Sequence, residues 1–242
     1  MNNAAVLELL ATICEIDSAR SSDRVLQVFR VVLETYGLNS FLITGLPVPH
    51  DSEWHRAILC DGWPREWFLR YESESHFLND PCAARSRLTA EPFLWHQLPA
   101  DGLTARGRLV MNEAAEFGMK DGLCVPIHVP LAGPAVVTAA SDRLEVPPEA
   151  MPLIEALCVH TFRKLSGLET KRGEENTAPL TPRERELLQW SAQGKSTEDI
   201  SCILGVTTNT VESHHRNIRD KLDAINVAHA IVKALRRHEI QI

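Results

Sequence analysis

Residues 62 to 81 read GWPREWFLRYESESHFLNDP. They hold Trp63, Trp67, Phe68, Tyr71 and Phe77, five of the chain's fourteen aromatics. The indoles and the phenol bring polar handles as well as apolar area. The run ends on a carboxylate, Asp80, set directly before Pro81. Trp67 and Tyr71 are i, i+4, so a helix would place both rings on one face. Donor-bearing rings beside an acid suit an apolar small molecule that carries a few hydrogen-bonding groups. Catalysis finds no support: there is no GxSxG elbow, no HExxH and no close Cys/His cluster. Taken singly, each Trp reads first as core, and Asp80 as a turn or cap residue.

These residues need elements to hold them. The 242 residues suffice for one large domain or two modest ones, and no apolar run is long enough to span a bilayer. The N-terminus lacks a basic leader and carries Glu8, Glu15 and Asp17, so it does not read as a signal peptide, and the cytoplasm is the expected location. The six cysteines lie among apolar neighbours and are expected to be buried free thiols. No cofactor or metal is expected. Residues 166–179 are polar, charged and broken by Gly167, Gly173 and Pro179, which reads as a linker between a domain at 1–165 and another at 180–242. In the first, helical spacing covers 3–16, 22–36 and 148–165, with Ser22 and Asp23 as caps of the second helix. Segments 40–46, 54–60, 122–131 and 134–140 look like strands. A further helix starts at Pro64, and another ends at Gly118. The fold class is α+β: an N-terminal α/β/α sandwich around a mostly antiparallel sheet, then an all-α four-helix domain.

The C-terminal domain opens on a capping box, Thr181-Pro182 with Glu184, and repeats the device at Ser196 and Asp199. A turn with Gly205 joins two helices in helix-turn-helix spacing. The second of these puts Val211, Ile218 and Leu222 on one face and Asn209, Glu212, Ser213, Arg216 and Arg219 on the other. The net charge of −7 divides as −8 over the first 170 residues and +1 over the rest, since from Lys171 onward eleven Lys and Arg face ten Asp and Glu. Placement of a few basic groups must therefore do what overall charge does not. A four-helix bundle with a solvated face fits the periodicity equally well. The string LTPRERELLQWSAQGKSTEDISCILGVTTNTVESHHRNIRDKL closely resembles the LuxR-type helix-turn-helix. The resemblance implies that Lys195, Ser196, Thr208 and Thr210 hold the DNA backbone, with Asn209, Ser213 and Arg216 as candidates for base edges. Glu212 and Val227 depart from the family pattern.

In the first domain, Trp67, Tyr71, Asp80, Pro81 and Trp95, with Gly122 beyond them, resemble the autoinducer-binding domains of LuxR-type quorum-sensing regulators. The resemblance implies an acyl-homoserine lactone ligand. The Trp67 indole would serve the lactone carbonyl and Asp80 the amide N–H. Tyr71 and Trp95 would be flat walls, and the Thr138 hydroxyl would lie near the acyl carbonyl. Trp63 stands where the family usually has a Tyr that donates to that carbonyl. The implied partners are double-stranded DNA with an inverted-repeat operator, a second copy of the chain, and RNA polymerase. Two alternatives stand beside this reading. One is a regulator with a vestigial or non-lactone pocket; the other is an anti-activator that works by heterodimerisation.

Overall fold

The computed structural model describes residues 3–46, 54–129, 133–174, 179–237 and 239–241. The chain forms two units, Met1–Leu168 and Glu169–Ile242. The first contains α1 (Asn3–Ser18), α2 (Ser22–Thr35), β1 (Ser40–Gly45), β2 (Ile58–Gly62), α3 (Arg65–Ser73), α4 (Pro81–Ser86), β3 (Phe93–Leu94), α5 (Ala105–Glu116), β4 (Asp121–Val129) and β5 (Gly133–Ser141). The last helix, α6 (Met151–Glu174), starts in this unit.

The five strands form one antiparallel sheet in the order β2-β1-β5-β4-β3. Side chains of a strand alternate between faces, and both faces here are apolar. Phe41, Ile43, Leu123, Val125, Val137 and Ala139 pack with Val25, Phe29 and Leu33 of α2 and Ile154, Leu157 and Cys158 of α6. Their neighbours Leu42, Cys124, Val136 and Ala140 turn to the opposite face, where α3, α4 and α5 cover them. The result is the expected α/β/α sandwich with two separate apolar layers. Pro126 lies in β4 beyond the short pairing with β3 at Leu123 and Cys124, so its missing N–H interrupts no ladder on that side.

Several local expectations shift. Residues 54–57 form a 3-10 turn, and the strand starts only at Ile58. Pro64 is the N-cap of α3, which begins one residue later. Ser21, not Ser22 or Asp23, caps α2 by accepting from the Arg24 N–H. The segment read as a linker is helical through Glu174. A lone glycine costs a helix only about 1 kcal/mol, and Leu168, one residue past Gly167, packs on the core. Residues 175–178 of that segment lie outside the described residues. All six cysteines are free, but only Cys82, Cys124 and Cys158 are buried. Cys60 is intermediate, and Cys14 and Cys202 are exposed on outward faces of their helices, against expectation.

The second unit contains α7 (Pro182–Ala192), α8 (Thr197–Leu204), α9 (Thr208–Leu222) and α10 (Val227–Arg236). Leu187, Leu188, Ile200, Val211, Ile218 and Leu222 form its core with Ala230 and Ala234. Both capping boxes form. The Glu184 N–H donates to Thr181 Oγ1 at 3.3 Å, and the Thr181 N–H to Glu184 Oε2 at 2.7 Å. The Asp199 N–H donates to Ser196 Oγ at 3.1 Å, and the Ser196 N–H to Asp199 Oδ2 at 3.1 Å, so the shorter acid still reaches. Glu184 also accepts from Lys221 Nζ at 2.7 Å, which ties α7 to α9. Burial would raise the Glu184 pKa, but the bonds from Lys221 and Thr181 outweigh it and hold the carboxyl below its ordinary range.

Candidate functional site

On one face of the sheet, α3, α4 and α5 cover a narrow cavity. All six residues expected at the ligand line it: Trp63, Trp67, Tyr71, Asp80, Trp95 and Thr138. Trp67 and Tyr71 share the inner face of α3, and both are buried. The rings form a connected wall. Trp63 meets Tyr71 edge-on at 5.0 Å, Trp67 meets Tyr71 at 5.5 Å, and Trp54 stacks on Phe77 at 5.6 Å.

Asp80 is both cap and cavity residue. Its Oδ1 accepts from the N–H groups of Cys82 at 2.7 Å and Ala83 at 3.3 Å, which starts α4. Its Oδ2 accepts from the Tyr71 hydroxyl at 2.7 Å. A carboxylate oxygen can accept more than one bond, so Oδ2 keeps capacity for a donor in the cavity. Burial raises the Asp80 pKa; the bonds from Tyr71, Cys82 and Ala83 and the nearby Arg87 charge pull the other way without cancelling it. The Tyr71 phenol is pushed well up, first by burial and then by the Asp80 charge and bond. Its proton therefore stays on Tyr71 and points to Asp80.

Trp95 follows β3 in a 3-10 turn and lies over Gly122 of β4. A Cβ on residue 122 would sit 2.5 Å from the Ala139 carbonyl oxygen and 2.8 Å from Trp95 Cε2, so the close approach requires glycine. Thr138 pairs with Cys124 across β5 and β4, and its hydroxyl donates to the Leu123 carbonyl at 3.1 Å. That proton is thus committed within the sheet. The indole N–H groups of Trp63 and Trp95 are buried and have no hydrogen-bond partner among the described residues.

Trp54, Met111 and Arg87 are among the lining groups that the sequence does not point to as ligand contacts. Trp54 was placed in a strand. Met111 of α5 carries no motif. Arg87, just past α4, brings a guanidinium to an otherwise largely apolar lining. Its signal was available: Asp80, Ala83 and Arg87 are i, i+3 and i+7, one face of a helix. His76 is buried beside Trp67 and Tyr71 and bonded to Glu113 at 2.9 Å.

In the second unit, α8 and α9 form a helix-turn-helix around Gly205, which adopts φ +64°. On α9, Val211, Ile218 and Leu222 are buried, while Thr208, Asn209, Glu212, Ser213 and Arg216 are exposed. These five can meet a groove without disturbing the core. Lys195 and Ser196 are exposed at the start of α8, though the Ser196 hydroxyl already caps that helix. Thr210 is partly buried, and its hydroxyl bonds Thr207 at 2.9 Å. Arg219, counted on the polar face, is instead partly buried with its Nε enclosed.

The known proteins this chain resembles agree on both halves. Residues 21–165 match the autoinducer binding domain, and residues 178–234 match the bacterial regulatory proteins of the luxR family. The chain is 34% identical over 208 residues to the HTH-type quorum sensing-dependent transcriptional regulator RpaR of Rhodopseudomonas palustris, covering 86% of this chain and 84% of the relative. It is 34% identical over 206 residues to the transcriptional activator protein BjaR1 of Bradyrhizobium diazoefficiens, covering 85% and 84%. Escherichia coli SdiA shares the fold with a TM-score of 0.75 over 98% of this chain and 99% of that one, at 17% identity. With its cavity closed over by aromatic rings and an acid, and its helix-turn-helix following, the chain belongs to the LuxR family of quorum-sensing transcriptional regulators, a ligand-responsive DNA-binding protein.

Proposed function

We propose that the cavity binds an acyl-homoserine lactone and that the liganded chain, as a homodimer, binds an inverted-repeat operator. The observation that supports this most is the Tyr71–Asp80 pair in the aromatic wall. Tyr71 and the start of α4 fix the carboxylate and leave one acceptor site for a ligand N–H. An amide N–H placed there gains a charge-assisted bond. The Trp67 indole serves as donor to the lactone carbonyl, and the surrounding rings accept the apolar acyl group. On the DNA side, Lys195, Ser196, Thr208 and Thr210 position the helix against phosphates, while Asn209, Ser213 and Arg216 read bases. The two halves of an operator then lie about one helical turn, roughly 34 Å, apart. Among the described residues, no helix is long and apolar enough to cross a membrane, in keeping with a cytoplasmic regulator.

The ligand acts by stabilising the folded sensor. A buried ligand at 100 times its dissociation constant adds about 2.7 kcal/mol, a large share of a domain's stability. Melting of the full chain with lactones of short to long acyl chain tests the reading. A rise in midpoint with at least one lactone supports it, and a midpoint indifferent to the whole panel defeats it.

A further inference from the structure

We infer that the natural signal carries an oxygen acceptor on its acyl group in addition to the amide carbonyl, as a 3-oxo- or 3-hydroxyacyl homoserine lactone does. The inference rests on the lactone reading and concerns which lactones the same cavity prefers.

It comes from a count of protons. Buried donors in folded proteins nearly always find an acceptor. Three hydroxyl donors of the cavity lining already have one: the Tyr71 hydroxyl bonds Asp80 Oδ2 at 2.7 Å, the Thr138 hydroxyl bonds the Leu123 carbonyl at 3.1 Å, and the Thr44 hydroxyl bonds the Gly45 carbonyl at 2.8 Å. The indole N–H groups of Trp63 and Trp95 are buried and unpaired among the described residues, and both side chains line the cavity. Trp95 is 7% exposed, so bulk water does not serve it. An indole cannot turn its donor into an acceptor, as a hydroxyl can. With Trp67 given to the lactone carbonyl, an unsubstituted acyl chain offers one further carbonyl, that of the amide, to two indoles. An oxygen at the 3-position supplies the second acceptor.

Direct titration of the full chain with hexanoyl, 3-oxohexanoyl and 3-hydroxyhexanoyl homoserine lactone tests this, because the three differ only at that carbon. The expected result is binding of at least one oxygenated lactone about tenfold tighter than hexanoyl, the effect of one paired donor. Trp63→Phe and Trp95→Phe then divide the roles. One abolishes the oxygen preference, and the other weakens all three lactones alike. Equal affinity of the wild-type chain for all three overturns the inference while leaving the lactone reading intact. So does a preference that survives both substitutions. Failure of every lactone to bind removes the reading beneath it as well. The wild-type comparison needs no variant to fold.

Discussion

Asp80→Asn and Asp80→Ala separate the two jobs of one side chain. Oδ1 caps α4 through the Cys82 and Ala83 N–H groups, and Oδ2 holds the Tyr71 hydroxyl and faces the cavity. Asn is as good an N-cap as Asp, so its Oδ1 keeps α4. Its amide nitrogen can donate to the Tyr71 oxygen with the bond reversed, which leaves the unliganded protein close to wild type. That nitrogen cannot accept a ligand N–H. A hydrogen bond to a charged group is worth about 1.5–3 kcal/mol, so lactone affinity should fall about ten- to a hundredfold. Ala removes the cap, about 1 kcal/mol, and strands a buried hydroxyl, about 1–3 kcal/mol, so D80A should lose roughly 2–4 kcal/mol before any ligand is added. Urea unfolding without ligand, followed by lactone titration of the folded variants, measures both. The pH dependence adds a sign. Burial raises the Asp80 pKa above its ordinary 3.8. Between 3.8 and the folded value, the native state binds more protons than the unfolded chain. The Asp80 contribution to stability therefore falls as pH rises through that window, and D80N should remove this slope. A D80N chain that binds lactone like wild type, or that is as unstable as D80A, would refute the reasoning.

Three further outcomes are expected. Gly122→Ala should cost about 1–3 kcal/mol by overpacking and should weaken lactone binding by displacing Trp95, read by melting and titration together. Arg216→Ala should weaken operator binding by about 1–3 kcal/mol in titrations at fixed salt, with helix content unchanged, because the side chain is exposed on α9. His215 sits half-buried with Nε2 2.9 Å from Ser191 Oγ, and burial, then Arg219 and His214, lower its pKa from 6.5. The unfolded chain therefore takes up the proton first as pH drops. Stability should be lost from about pH 6.5 down to the folded value, and His215→Gln should flatten that part of the urea-midpoint profile.

The parts of this fold that were legible in the sequence are those decided within a few residues. Thr181 with Glu184, Ser196 with Asp199, and Gly205 mark helix ends because a cap is satisfied by chain neighbours, and the structure forms each one. The i, i+4 spacing of Trp67 and Tyr71 fixed a shared face for the same reason. What sequence alone missed depends on distant partners. β3 is two residues long and exists only because β4 lies beside it. Residues 54–57 have strand composition but turn, since β1 pairs with β2 only from Ile58 onward. α6 continues past Gly167 because Leu168 packs on the core, which a polar composition conceals. Arg87 follows Asp80 and Ala83 at helical spacing, but that this face lines a cavity depends on where α4 packs. The commitment of the Thr138 hydroxyl to Leu123 likewise needs the register of β4 against β5.

The central claim is that Asp80 and the surrounding rings hold an acyl-homoserine lactone. Mass spectrometry of the small molecules released from the chain purified from its own cells tests it most directly, with D80N purified in parallel. The expected result is one acyl-homoserine lactone at about one per chain in the wild type and little or none in D80N. A stoichiometric ligand without a lactone ring, or equal lactone in both, would contradict it.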